Sequence, residues 1–431
     1  MPLRDLQASL DGMFSSVTPS IGRILDAALG GKDISVDDGV ELFDAPGADL
    51  PVIIAAADHL RKKSRGDVVT YVVNRNINFT NVCVKGCGFC AFSRGHMAEE
   101  GYFLPIDEII RRAREAWELG ATEICVQAGL APGMDGWHYV KLCGALKDAL
   151  PDLHIHGFSP EEVLYGATLT NVSVRAYLAS LKDAGVGSLP GTSAEILVDE
   201  VRERISPGRI PTTAWVDLIQ TAHELGIPTT STIMYGHIEN SRHKAIHLSI
   251  LRDIQKRTGG ITEFVPLSFV YEDAPMHHRK RLPELRTGAT GAEIMKMYAV
   301  SRIMLNNWIP NLQVSWVKEG PKLSQIALLA GANDFGGTLI NESISTAAGA
   351  SHGQLMKPAQ FRNLIREMGR IPAERSTTYT SIRTFENDER PVDLLDKVEN
   401  PAERFGSYQE LIRLKEYRFR DFYQERKKSS A

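Results

Sequence analysis

The segment NFTNVCVKGCGFCAF, residues 78 to 92, gathers three of the chain's five cysteines as Cys83-x3-Cys87-x2-Cys90. Gly86 and Gly88 make that loop pliable, so three sulfurs can turn toward one object. A closed zinc site wants four tetrahedral ligands, and the fourth would have to come from His96, Cys125 or Cys143. Cys125 lies in a strand-like run and Cys143 in a helical one, where a free cysteine more often packs as core. The competing object is a 4Fe-4S cluster, whose protein ligands are thiolates; three of them leave one iron open to a substrate or cofactor. An odd cysteine count with three clustered argues for reduced thiols rather than a disulfide framework.

Around that loop the elements fall into a pattern. Residues 1–65 carry apolar residues at helical spacing and read as an N-terminal helical cap. From about residue 67, β-branched runs alternate with amphipathic helical ones: VVTYVVNRNINF, TEICVQA, LHIHGF, VGSL, PTTSTIMYG, EFVPLSFV, LQVSWV and NDFGGT. Eight such units predict a (β/α)8 TIM-like barrel over residues 66–360, with a doubly wound open sheet as the alternative. A barrel puts its chemistry just after the strands. There stand the cysteine loop, Gln127 and Gly129, Glu195, then Tyr235, His237 and Glu239. Ser268 and Ser315 end later strands, and of His154 and His156 one is expected to be buried and the other to face the barrel mouth. Residues 361–431 are polar, then helical with mixed charge, and read as a C-terminal extension.

The 49 Lys and Arg against 53 Asp and Glu leave a formal charge of -4, which offers no basic field for nucleic acid or an anionic membrane. No apolar run approaches the roughly 18 residues of a membrane span, and MPLRDLQASLDGMF has charges where a signal peptide is apolar. A cytoplasmic protein working on small molecules is expected.

The cysteine spacing, with Phe89 directly before the last cysteine, resembles the signature of radical S-adenosylmethionine enzymes. That resemblance implies a 4Fe-4S cluster on Cys83, Cys87 and Cys90, with S-adenosyl-L-methionine chelated to the open iron and cleaved to a 5'-deoxyadenosyl radical. It further implies cofactor contacts from Phe89, Gln127, Gly129 and Glu195, although QAGLAP departs from the commoner QGGLHP at Ala128 and Ala131. The stretches NRNINFTNVCVKGCGFCAFSRG, SLPGTSAEIL, STIMYGHIEN, FVPLSFV and GANDFGGTLINESISTAAGASHG resemble the tyrosine-utilising subunit of deazaflavin (FO) synthase, from about residue 70 to about residue 385. Menaquinone-pathway enzymes, aminofutalosine synthase and the dehypoxanthine futalosine cyclase, are similar relatives and the alternative reading; the GGTLINESIS segment separates them.

The resemblance implies that L-tyrosine is broken at Cα-Cβ and its 4-hydroxybenzyl group joined to 5-amino-6-(D-ribitylamino)uracil. An electron donor and a separate cyclising subunit are then required, because this chain has a single cysteine triad. Tyr235, His237, Glu239, Ser268, Ser315, Asn333, Asp334, Thr338, Asn341, Glu342 and Ser343 are candidate substrate contacts, with helix capping as the competing role for Asn341 and Ser343. Arg75 or Arg94 is expected to pair with a charged end of tyrosine.

Overall fold

The computed structural model describes residue 12, residues 15–386 and residues 391–429. The MPLRDLQASLD stretch at the start of the expected cap lies outside them. Helices Pro19–Leu29, Val36–Asp44 and Leu50–Arg65 supply the rest of that cap. Their apolar faces bury Ile21, Ile24, Leu42, Ile53 and Leu60.

Strands and helices then alternate. The strands are β1 (Val68–Val72), β2 (Asn74–Ile77), β3 (Glu123–Val126), β4 (His154–His156), β5 (Thr229–Tyr235), β6 (Ile261–Ser268), β7 (Asp334–Gly337), β8 (Ile371–Arg375) and β9 (Ser381–Thr384). They form three sheets ordered β7-β1-β8-β9, β2-β3-β4 and β5-β6, parallel throughout except for β8 with β9. Single parallel bridges join His156 to Ser188, Leu189 to Thr229, Phe264 to Leu312, Gln313 to Asp334 and Arg75 to Ile340. All seven residues of β5 and all four of β7 are buried, as expected for parallel strands covered on both faces.

Crossover helices start where the sequence provides caps. Ser159 and Glu162 form a capping box at helix Pro160–Thr170, and Thr290 and Glu293 form another at helix Gly291–Leu305. Helix Ile106–Glu118 buries Ile109, Ala113 and Ala116 on one face and leaves its arginines and glutamates outward.

The first strand changes partner midway. Val68 to Tyr71 pair with β8, whereas Asn74 to Ile77 pair with β3. The extension is therefore not wholly helical as expected. Its β8 enters beside β1 and carries Arg375 inward, and the hydrophobic alternation that announces a strand is absent from IPAERSTTYTSIRT because β9 is exposed at every residue. Among the described residues no helix is long and apolar enough to cross a membrane.

Candidate active site

A cavity of about 390 Å³ opens among the strand ends, lined at one side by Cys83, Cys87, Phe89 and Cys90. The cysteine loop is pinned from both flanks. Cys83 N donates to Arg94 O at 3.1 Å and Arg94 N to Asn81 O at 2.8 Å, while Gly88 N donates to Ile205 O at 2.7 Å and Gly88 O accepts from Met276 N at 2.6 Å. A side chain at Gly88 would press on Met276 and the Ile205 carbonyl, at 3.0 and 3.2 Å, so the loop packs closely there.

All three thiols face the same cavity. Burial pushes the Cys87 thiol up to about 12, against the pull of the Arg209 guanidinium, whose Nη1 lies 3.5 Å from its sulfur. Lys85 N adds a donor 3.4 Å from Cys83 Sγ. Amide and guanidinium donors aimed at sulfur suit thiolates that share a metal group. Among the described residues no three His, Cys, Asp or Glu side chains are grouped to hold a single metal ion. The candidate fourth ligands of a zinc site are engaged elsewhere: the His96 ring lies 5.2 Å from that of Tyr423, Cys125 accepts from Gln127 Nε2 at 3.3 Å, and Cys143 is buried in a helix. A three-thiol loop facing an open cavity fits an iron-sulfur cluster with one free iron.

Arg209 organises the adjoining wall. Its guanidinium pairs with Glu195 Oε1 at 3.0 Å and Glu161 Oε2 at 3.4 Å, donates to Ser193 Oγ, and lies 5.9 Å from the centre of the Phe89 ring. Burial works to lower its pKa, but Cys87, Glu195 and Glu161 overcome that and the net shift is upward. Ser193 and Glu195 have φ of 61° and 44°, a left-handed region that side chains rarely adopt. Met234 N holds the Glu195 carbonyl at 2.6 Å and Arg209 holds its carboxylate, so the strain is carried by neighbours.

Gln127 and Gly129 line the same cavity. Gln127 Oε1 accepts from Thr192 Oγ1 at 3.0 Å. Gly129 N donates to Thr80 O at 2.9 Å, and a Cβ there would run into the Val82 carbonyl, so this glycine lets one strand end press against the cysteine loop. Beneath it Glu162 accepts from Ala128 N at 2.9 Å, and burial pushes its carboxyl up to about 7.

The substrate candidates divide. Ser268, Ser315 and Glu342 line the cavity, although Glu342 also accepts from Ser345 N at 2.8 Å as the cap of a short helix. Tyr235, His237, Glu239, Asn333, Asp334, Thr338, Asn341 and Ser343 are not in its lining. Glu239 accepts from Gly236 N at 2.7 Å, His237 N at 2.8 Å and Arg286 at 2.6 Å, tying a turn; His237 Nε2 meets Met234 O at 3.0 Å. Tyr235 OH reaches Glu319 at 3.4 Å. Asn333 binds Arg302 and Leu312 N, Thr338 exchanges hydrogen bonds with the Asn74 backbone, and Ser343 donates to Asn341 O. Asn341 joins Arg75 to the carbonyls of Phe405 and Gly406. Asp334 holds Arg375 at 2.5 and 3.0 Å.

The expected tyrosine cations also lie elsewhere. Arg75 is buried against Glu115 at 2.8 Å, and Arg94 pairs with Glu100 at 2.6 Å. Of the histidines, both His154 and His156 meet Ser188 Oγ at 2.7 Å, and only His156 reaches the cavity, its pKa lowered to about 4 by burial.

Sequence reasoning missed Glu161, Glu162, Arg209, Lys318, Glu263, Gln313, Arg375 and Thr377, all of which line the cavity. A signal existed for some of them. Glu161 and Glu162 follow β4 within a Ser-x-x-Glu cap, and Lys318 directly follows the run LQVSWV, so the strand-end rule applied to every strand-like run would have reached them.

Residues 77–248 match the model of the radical SAM superfamily, and residues 258–388 match that of the CofH/MqnC C-terminal region. The chain is similar to the 5-amino-6-(D-ribitylamino)uracil--L-tyrosine 4-hydroxyphenyl transferase of Methanothermobacter thermautotrophicus, at 49% identity across 84% of this chain and 97% of that protein. The protein of the same name from Methanocaldococcus jannaschii is 48% identical across 81% and 97%. Among solved structures, the [FeFe]-hydrogenase maturase HydG superposes with a TM-score of 0.65 at 16% identity, over 87% of this chain and 80% of that one. Methylornithine synthase (PylB) does so with 0.59 at 18% identity, over 80% and 95%. These two share the fold.

Proposed function

This chain belongs to the radical S-adenosylmethionine family of 5-amino-6-(D-ribitylamino)uracil--L-tyrosine 4-hydroxyphenyl transferases, and on that premise we propose that it cleaves L-tyrosine at Cα-Cβ and transfers the 4-hydroxybenzyl group to 5-amino-6-(D-ribitylamino)uracil. The other products are 2-iminoacetate, methionine and 5'-deoxyadenosine. The observation that carries this reading is the extent of the likeness, about half identical over nearly the whole length of the relatives. The family model covering residues 258–388 embraces menaquinone-type enzymes as well, but the relatives of that identity are named for the tyrosine reaction.

Cys83, Cys87 and Cys90 hold the cluster, which when bound supplies the electron that cleaves S-adenosylmethionine. Glu195, positioned by Arg209, and Phe89 and Gln127 bind that cosubstrate, and Gly129 lets their wall close on the cysteine loop. Ser268, Ser315 and Glu342 face the organic substrates. The largely buried walls keep water and stray hydrogen donors from the reacting atoms.

The five single bridges support a closed ring in which β1 with β2, β3, β4, Ser188–Leu189, β5, β6, Leu312–Gln313 and β7 form a (β/α)8 barrel. On this reading residues 1–65 are its cap, 66–360 its body and 361–431 an extension that reaches back to the cavity. One cysteine triad runs one radical reaction, so a separate cyclising subunit closes the deazaflavin ring, an electron donor feeds the cluster, and both meet this chain in the cytoplasm.

The test is anaerobic turnover of iron-reconstituted protein with reductant, S-adenosylmethionine, tyrosine and the aminouracil, read by mass spectrometry with each component omitted in turn. A hydroxybenzyl-uracil adduct with 2-iminoacetate, or glyoxylate from its hydrolysis, is expected. Turnover of a futalosine-type nucleoside in its place overturns the assignment.

A further inference from the structure

Lys85, Arg209, Lys318 and Arg375 are the lysines and arginines that line the cavity. Three of them have carboxylate partners: Lys85 pairs with Glu161 at 3.0 Å, Arg209 with Glu195 at 3.0 Å, and Arg375 with Asp334 at 2.5 Å. Lys318 differs. Among the described residues no carboxylate oxygen comes within 4.0 Å of its ammonium, while its backbone N-H donates to Ser315 O at 3.0 Å.

An ammonium removed from bulk water without a counter-ion is costly, and proteins keep such groups where a ligand completes them. Burial draws the Lys318 pKa down, while Glu342, Glu319, Glu195 and Cys90 act from farther off to raise it. None of these carboxylates pairs with it. Glu342 caps a helix through Ser345 N, Glu195 is held by Arg209, and Glu319 accepts from Tyr235 OH at 3.4 Å through Oε1 while its Oε2 has no hydrogen-bond partner. The cavity thus offers one cation lacking an anion, on the wall that also carries Ser268, Ser315 and Trp316.

We propose that Lys318 pairs with the carboxylate of the amino-acid substrate, an assignment that rests on the transferase reading. Arg75 and Arg94, the cations that sequence proximity favoured, are consumed by Glu115 and Glu100 outside the cavity. Arg209 is spent beside Cys87 on the cofactor wall. Lys318 makes no ion pair with that group, Glu195 and Cys90 reaching it only at longer range, and it follows Ser315 and Trp316 in the chain, which favours the tyrosine carboxylate over the methionyl one.

The test compares L-tyrosine with tyramine, which lacks only the carboxylate, by equilibrium dialysis against cluster-loaded enzyme without reductant, so that nothing turns over. Wild-type protein is expected to bind tyrosine roughly 10- to 100-fold more tightly than tyramine, the worth of one charge-assisted pair. Lys318→Met should lose that factor for tyrosine and leave tyramine and S-adenosylmethionine unchanged, with Lys318→Arg keeping most of it. If Lys318→Met does not fold, Lys318→Gln provides the same comparison. A neutral variant that discriminates as well as wild type overturns the inference, as does one that loses S-adenosylmethionine while keeping tyrosine. Wild-type protein that binds neither ligand and forms no adduct refutes the transferase reading itself, whereas adduct formation beside an indifferent Lys318 variant refutes the lysine assignment alone.

Discussion

Substituting Gly129 by alanine separates two roles that the residue could have. At this position a Cβ would lie roughly 1 Å inside ordinary contact with the Val82 carbonyl, and the obstacle is backbone rather than a flexible side chain. The strand end must therefore back away from the cysteine loop. Two hydrogen bonds hold the pair together, Gly129 N to Thr80 O and Val84 N to Leu130 O, each 2.9 Å. Losing both costs about 1 to 3 kcal/mol, and residual overpacking adds about 1 to 3 kcal/mol, so a local penalty of about 2 to 6 kcal/mol falls on the cluster loop. The expected result is a folded protein, judged by far-ultraviolet circular dichroism, whose iron and sulfide content per chain falls after reconstitution and whose melting temperature drops. Ala128→Gly should leave both close to wild type, since it removes a single partly buried methyl and keeps the backbone N-H bond to Glu162. Full iron content with normal melting in Gly129→Ala would refute the packing argument; weak S-adenosylmethionine binding alone would make Gly129 a cofactor contact and nothing more.

Removing the charge of Arg209 with methionine strands Glu195, at 13% side-chain exposure, while Glu161 keeps Lys85, and should lower stability by about 3 to 5 kcal/mol together with S-adenosylmethionine affinity; adding Glu195→Gln should restore part of the melting temperature. Arg375→Met should destabilise by a similar about 3 to 5 kcal/mol, because it leaves Asp334 fully buried without its partner, and denaturant melts with and without Asp334→Asn measure the coupling. Burial pushes Glu319 up to about 7 from an ordinary 4.5, and its Oε2 has no hydrogen-bond partner. Between those pH values the folded state holds a proton that the unfolded state has released, so this residue makes stability fall as pH rises. Glu319→Gln should remove that share of the fall, raising the melting temperature over wild type more at pH 8 than at pH 5.

The sequence exposed the cysteine loop because its ligands are contiguous, and it exposed the strands because parallel strands buried on both faces read as β-branched runs. Even VGSL and LQVSWV, which hold their neighbours by single bridges, were legible in this way. Long-range charge pairing was not. Arg209 becomes part of the site only when Glu161, Glu195 and Cys87 arrive from three different strand ends, and nothing in SPGRIP announces that. The polar run from Asn333 to Ser343 looked like a substrate surface, but Asn333, Asp334, Thr338 and Asn341 spend their side chains on the backbone and on Arg302, Arg375 and Arg75. A polar residue in a strand end satisfies the fold's own donors before it serves a ligand. In the tail the opposite holds, since Arg375 stands in a stretch legible only as polar yet is buried in the cavity wall.

β1 is the first strand made, yet its partners β7 and β8 come near the end of the chain, and the Thr70–Asp334 pairing alone spans 264 residues. On the ribosome this strand waits with open edges until almost the whole polypeptide has emerged. Folding with contacts so distant in sequence is slow, and unpaired edges invite association with other chains. The cavity acquires Arg375 and Thr377 last of all, so the cysteine loop is synthesised long before the chamber it serves is complete.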